Sequence, residues 1–464
     1  MRDENAPADV QHRESLMQPR RFFSVAMGQQ LARVSSAGIA IRAAGAACGF
    51  LFNVVLARTL GRAGTGTVML YLNFATMTGL VATGGMDVVG LRELSRRAGD
   101  RSRAAAMLAD VLSSAVPSVL LFSIGGFAFL SLFGRSLAGS GNVWVYLICA
   151  LALALTAVQK MLSDWLIALR EFASSQLVFY FLNRVVSVIL LLPVTTLGLG
   201  GAAATQRFIS VYAAGLLVAV VYAIWRMSAH FDGHAAFPKS LPASALLRDG
   251  IACGIQNAAF VLLNLSPFLL LGALSTSSEI GLFGVSQRLV AIVILALTTI
   301  SQLAMGEFSR AFGNRDFAAL ARSLTASVRL TLAVTIALSL PLAVFAPLWV
   351  LVFGKSFAAA APTLTLLSIA ICVQCLGMPF QAALLTTNNE RLARNVTLVC
   401  ATIGIVLNAV FIPSWGSRGA ALGTGIGFAL QSLGHAACAL NVLPIRFSLA
   451  LLRVVQRHPP IGVP

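Results

Sequence analysis

Apolar runs of about twenty residues alternate along this chain with short polar connections, a rhythm that predicts helices crossing a bilayer. Twelve such runs fall near 35–57, 67–91, 106–133, 143–166, 174–196, 201–226, 249–274, 281–305, 323–352, 360–386, 393–413 and 418–441. A polar arm, 1–34, precedes them and a tail, 442–464, follows. The longest connection, 227–248, contains Pro238 and Pro242 and divides the runs into an N-terminal lobe, 35–226, and a C-terminal lobe, 249–441.

The two lobes echo one another. Leu56-Ala-Arg-Thr-Leu-Gly-Arg-Ala-Gly-Thr-Gly66 is answered by Leu271-Gly-Ala-Leu-Ser275 and Glu279-Ile-Gly-Leu-Phe283, and Arg92-Glu-Leu-Ser-Arg96 by Glu307-Phe-Ser-Arg310. Leu132-Phe-Gly-Arg-Ser-Leu137 returns as Val352-Phe-Gly-Lys-Ser-Phe357, and Gly201-Ala-Ala-Ala204 as Gly419-Ala-Ala-Leu422. A repeat of roughly 200 residues marks a transporter built from two bundles, not a short-period solenoid. The expected fold is therefore all-α and polytopic: about twelve transmembrane helices in two pseudo-repeated six-helix lobes around a central cavity.

Composition agrees, with 58% of residues hydrophobic and only 11% charged. The net charge of +17 would suggest nucleic acid in a soluble chain. Here the positive-inside rule accounts for it, and no nucleic-acid partner is expected. If the N-terminus is cytoplasmic, the outer connections hold only Arg58, Arg62, Arg135, Lys355 and Arg418. The inner side collects Arg92, Arg96, Arg97, Arg101, Arg103, Arg226, Lys239, Arg248, Arg310, Arg315, Arg322, Arg391, Arg394, Arg446, Arg453 and Arg457. Both termini are thus expected in the cytoplasm. Trp144, Trp165, Trp225, Trp349 and Trp415 fall near run ends, where indoles favour the headgroup level.

No nucleotide loop, Ser-His-Asp arrangement or paired-carboxylate site is visible, so an enzyme is not expected. Cys372-Val-Gln-Cys375 lacks a second pair, and His230-Phe-Asp-Gly-His234 stands alone in a loop, so no metal or cofactor is expected.

The order and repetition of Leu-Ala-Arg-Thr-Leu-Gly, Arg-Glu-Leu-Ser-Arg, Glu-Ile-Gly-Leu-Phe-Gly-Val-Ser-Gln-Arg288-Leu and Phe-Gly-Lys-Ser-Phe resemble one known group from about residue 30 to 440. This is the polysaccharide-biosynthesis branch of the multidrug/oligosaccharidyl-lipid/polysaccharide (MOP) exporter superfamily, which includes the O-antigen (Wzx-type) flippases. The resemblance implies alternating access between two lobes of a bacterial inner-membrane protein. The cargo it implies is an undecaprenyl-diphosphate-linked oligosaccharide, handed between glycosyltransferases and a polysaccharide polymerase among membrane lipids. Relatives often carry an acid ahead of the apolar run in the seventh span; this chain has Ser266-Pro267, so ion coupling assigned to that acid does not transfer.

A diphosphate crossing hydrocarbon needs replacement partners, and arginine binds phosphate oxygens bidentately. Four arginines deep within the runs are the candidates, Arg42, Arg184, Arg207 and Arg288; Arg329, near a run start, is expected to snorkel. Gly45 and Gly49 share a helical face with Arg42, which turns that face toward protein. A basic residue at the position of Arg288 recurs in the family. Together the four are the expected substrate-binding residues, the alternative being pairing with acids or snorkelling. Acids are scarce: Asp87, Asp110 and Asp164, each near an inner end. Asp87 is the candidate for ion coupling, or else a salt-bridge partner of Arg92 or Arg42. The amides Asn73, Gln256, Asn257, Asn264, Gln374, Gln381 and Asn408 could meet sugar hydroxyls or join helices.

Two other functions stay open. A multidrug or cation exporter of the same superfamily should have acids in its cavity, the reverse of this pattern. A membrane-embedded glycan polymerase or ligase should have a substantial outer loop, which the apolar pattern does not allow.

Overall fold

The computed structural model describes residues 8–97, 101–138, 142–196, 202–230, 243–443, 445–448 and 453–456. Among these residues, ten helices are long and apolar enough to cross a membrane. Two of the ten are double. α1 (Ala8–Ala82) holds Gly61 at φ 63°, and α13 (Glu390–Val442) holds Gly416 at φ 52°, a left-handed conformation that suits glycine. The chain folds back at both points. Thr65 Oγ1 donates to the Leu56 carbonyl, and Asn408 Nδ2 to Thr424 Oγ1. In continuous helices these pairs would stand about 13 and 24 Å apart. The ten helices therefore make twelve passes, matching the twelve apolar runs.

The first and second passes belong to α1, and α2 (Met86–Arg97) extends the second beyond Gly84 and Gly85. α3 (Arg101–Ala138) and α4 (Val143–Ala168) are the third and fourth. The fifth is composite: α5 (Phe172–Gln176), a π-helical turn Leu177–Leu182, then α6 (Asn183–Thr196). α7 (Ala202–Ser228) completes the first half. α8 (Ala243–Leu274), α9 (Ser277–Gly313) and α10 (Phe317–Val344) follow. The short α11 (Ala346–Leu351) leads to the tenth pass, α12 (Ala361–Thr386), and α13 supplies the last two. Capping fixes several starts: Asn142, Thr276 and Asp316 accept from the backbone N–H of Trp144, Glu279 and Ala319. Two short strands, β1 (Ile445–Ser448) and β2 (Arg453–Gln456), pair antiparallel in the segment read as a tail, which the apolar pattern did not announce. The connection expected to join the lobes lies largely outside the described residues, at 231–242, as does His234.

An even number of passes brings the start of the first and the end of the twelfth to one face, here the near face; Gly61 and Gly416 turn at the far face. Apolar packing differs between them. Toward the far face a single core joins both halves, with Phe52, Leu56 and Phe208 of the first against Phe268, Phe283 and Phe353 of the second. Toward the near face the cores separate: Met86, Trp165 and Met227 pack within the first half, Phe308, Leu320 and Phe380 within the second. The halves are fused far and divided near.

Trp165 lies in the last turn of α4, near a span end as expected, but it is wholly buried in protein, its indole N–H directed at the Met86 carbonyl 3.4 Å away. Gly90 makes the room, since a Cβ there would stand 2.0 Å from the indole nitrogen. Trp144, Trp225, Trp349 and Trp415 are exposed.

Candidate functional site: a cationic cavity

Passes one and five approach closely because the first lacks side chains where they meet. A Cβ at Gly45 would stand 2.1 Å from the Tyr180 carbonyl oxygen, and one at Gly49 2.8 Å from Cδ of Arg184. The fifth pass answers with its π-helical turn, Leu177–Leu182, whose carbonyls also take side-chain donors. Gln159 Nε2 donates to the Val178 carbonyl at 2.6 Å, and Arg184 Nη1 to that of Tyr180 at 2.6 Å.

A cavity of about 200 Å³ opens above this turn, lined by Asn53, Asn73, Gln159, Asn183, Arg184, Tyr212 and Arg288 among others. A second space, about 140 Å³, shares Asn53, Arg184 and Arg288 with it and reaches Arg42, Tyr180 and Ile292. The two form one path, polar on the side of the first half and closed by α9 of the second.

Three of the four expected arginines meet here. Arg42 is 8% exposed. Its Nε donates to Gln176 Oε1 at 2.6 Å and its Nη1 to Gln302 Oε1 at 2.9 Å. The guanidinium lies 4.9 Å from the centre of the Tyr180 ring. Arg288 Nη2 donates to Asn73 Oδ1 at 3.3 Å, an oxygen presented by Asn73's own bond to the Met69 carbonyl. Arg184 and Arg288 are close enough to repel one another. Arg207, expected to extend the path outward, is instead exposed and lines neither space.

Among the described residues, none of these four arginines has a carboxylate within ion-pair distance. The deep acids are engaged elsewhere, and not as expected. Asp87, 1% exposed, accepts from Thr83 and pairs with Lys160 at 3.5 Å, not with Arg92 or Arg42. Asp164 pairs with the same ammonium. Lys160 escaped the sequence reading, although Lys160 and Asp164 at i and i+4 within an apolar run signal an internal pair. Gln176 and Gln302 were also missed; nothing in their spacing marks them.

At the near end of the fifth pass, Arg226 Nη2 holds Glu171 at 2.9 Å, and His230 stands 3.6 Å from the same carboxylate. Burial raises the Glu171 carboxyl, but hydrogen bonds from Ser174 and Arg226 and the Arg226 charge outweigh it and hold the group below its ordinary range. The amide candidates divide. Asn73 lines the cavity, whereas Asn408 is 1% exposed and bonds Thr424 within the α13 hairpin. Among the described residues, no group of three or more His, Cys, Asp or Glu is placed to hold a metal.

Twelve passes in two halves enclosing a polar path define a multi-pass membrane protein. The sequence profile of the polysaccharide biosynthesis protein family matches residues 35–306, and the chain belongs to that family. The curated flippase Agl15 of Haloferax volcanii, described as a probable low-salt glycan biosynthesis flippase, is 22% identical over 179 residues. That match spans 38% of this chain and 38% of the relative. Among solved structures, the lipid II flippase MurJ in an inward closed conformation superposes with a TM-score of 0.73 at 13% identity, over 91% of this chain and 89% of MurJ. An inward-facing multidrug resistance MATE family transporter gives 0.68 at 13% identity, over 85% and 93%.

Proposed function

We propose that this protein is a flippase for lipid-linked glycans, moving an undecaprenyl-diphosphate-linked oligosaccharide across the bacterial inner membrane for surface or exopolysaccharide synthesis. The near face is then cytoplasmic and receives cargo built by glycosyltransferases; the far face delivers it to a polymerase. One observation carries the reading: Arg42, Arg184 and Arg288 surround a shared cavity with neutral partners only, while Lys160 takes Asp87 and Asp164. Guanidinium groups drawn partly out of water without counter-charge are costly, and a diphosphate supplies two acceptor groups that offset the cost. Asn53, Asn73, Gln159 and Asn183 beside them offer amide partners for sugar hydroxyls. The family and its relatives support a glycan cargo; the lipid anchor and the bacterial membrane are our inference from the resemblance.

A cation exporter would need the opposite lining. The test is Arg184→Ala and Arg288→Ala, singly and together, with surface polysaccharide measured at matched protein levels. Each lost charge-assisted contact should weaken diphosphate binding about ten- to a hundredfold, and the double variant should abolish export. Unchanged export would refute the reading, and cationic-dye resistance without a glycan defect would establish the exporter instead.

A further inference from the structure

Arg42 differs from its two neighbours in having hydrogen-bond partners in both halves of the molecule; Arg288 also crosses, but only to Asn73 of the first half. Nε is bonded to Gln176 on α5 of the first half and Nη1 to Gln302 on α9 of the second. The second bond crosses the divide on the near side, where the halves keep separate apolar cores. A different seam nearby is packed without side chains. A Cβ at Gly85 would stand 2.1 Å from the Gly250 carbonyl oxygen, so the second and seventh passes touch backbone to backbone there. The near side is thus held by a glycine seam at one place and by a single-residue polar bridge at another.

The bridge is weak in a particular way. A guanidinium carries five N–H donors, and Arg42 directs two of them at neutral amide oxygens while facing the cavity shared with Arg184 and Arg288. Bonds to an anionic oxygen are roughly twice as strong as those to a neutral one, so a phosphate entering that space outcompetes Gln302 for the Nη1 edge. Gln176 is on the same half as Arg42, and its bond need not break when the halves part.

Building on the cationic-cavity reading above, we infer that Arg42–Gln302 is an anion-released latch: a diphosphate in the cavity takes Arg42 from Gln302 and frees the first and eighth passes on the near side, with the Gly85–Gly250 seam as the pivot. The diphosphate reaches Arg42 from the near mouth, and its arrival is what loosens the bridge. Gln302 is in this view a positioning residue that need not touch cargo.

The test uses the full chain with its seven native cysteines replaced and spin labels at Ser228→Cys and Arg391→Cys, both exposed at near-side helix ends in opposite halves. Inorganic pyrophosphate is the probe, its binding followed by calorimetry and the label separation by pulsed electron resonance. Pyrophosphate should move the distribution to longer separations. Gln302→Ala should show the long population with no pyrophosphate present. Gln302→Glu, which gives Arg42 a carboxylate, should hold the short population even under saturating pyrophosphate. Binding that leaves the separation unchanged, a Gln302→Ala variant that stays short, or a Gln302→Glu variant that opens like wild type overturns the latch and leaves the cationic site standing. No pyrophosphate binding by wild type overturns the site itself, and the latch with it.

Discussion

The residue that organises charge inside this protein is Lys160, because it disposes of the carboxylates that would otherwise neutralise the cavity. One ammonium faces Asp87 and Asp164, and its aliphatic stem keeps it near the Phe179 ring, 5.9 Å from the centroid. Lys160→Met should leave Asp87 without its counter-ion at 1% exposure, a loss of about 3 kcal/mol typical of breaking one side of a buried pair. Combining it with Asp87→Asn and Asp164→Asn should return most of that stability, as measured by thermal unfolding in detergent. If the single variant melts like wild type, the cluster is solvated and Asp87 is no longer confined by it. The triad also explains why only part of the site could be read from sequence. The arginines were visible because a lone cation in an apolar run is conspicuous. Their neutral partners were not, since glutamines 134 and 260 positions away carry no periodic signal. Arg207, which lines neither space, shows the converse: apolar neighbours do not distinguish a buried position from an exposed one.

Among the elements, glycine does two jobs that a hydropathy profile cannot separate. At Gly61 and Gly416 it supplies a backbone turn, and the profile sees only the apolar runs on either side. At Gly66 it supplies proximity: a Cβ there would stand 1.7 Å from the Ser277 carbonyl oxygen, where the second and eighth passes cross between halves. The two jobs predict different penalties. Gly61→Ala meets nothing within 4 Å and carries only the backbone strain of φ 63° with ψ −169°, a region nearly confined to glycine, about 1–3 kcal/mol. Gly66→Ala must push two helices apart and disturb the shared far-side core, so it should lower the melting temperature much further or prevent folding. Equal melting temperatures for the two variants would show that the far side yields easily. The twelve passes were legible because each run is long enough by itself; the π-helical turn at Leu177–Leu182 was not, because its sequence is as apolar as any α-helix.

For the whole molecule, the decisive asymmetry is that one face shares an apolar core across the halves and the other does not. If the near face is cytoplasmic, as the distribution of basic residues predicts, a membrane-impermeant thiol reagent applied to intact cells should label Arg62→Cys and spare Ser228→Cys, both of which are exposed. The reverse pattern would invert the proposed direction of transport. The composite fifth pass has a consequence of another sort. Each residue of an α-helix advances its direction by about 100°. A π-helical turn spends one extra residue on nearly the same arc, so straightening Leu177–Leu182 to ordinary α-helical winding at unchanged length would rotate Asn183 and Arg184 by about 100°, off the path, while every side chain kept its chemistry. A change that straightened this one turn would thus retune what such a protein carries, without any substitution at the binding groups themselves.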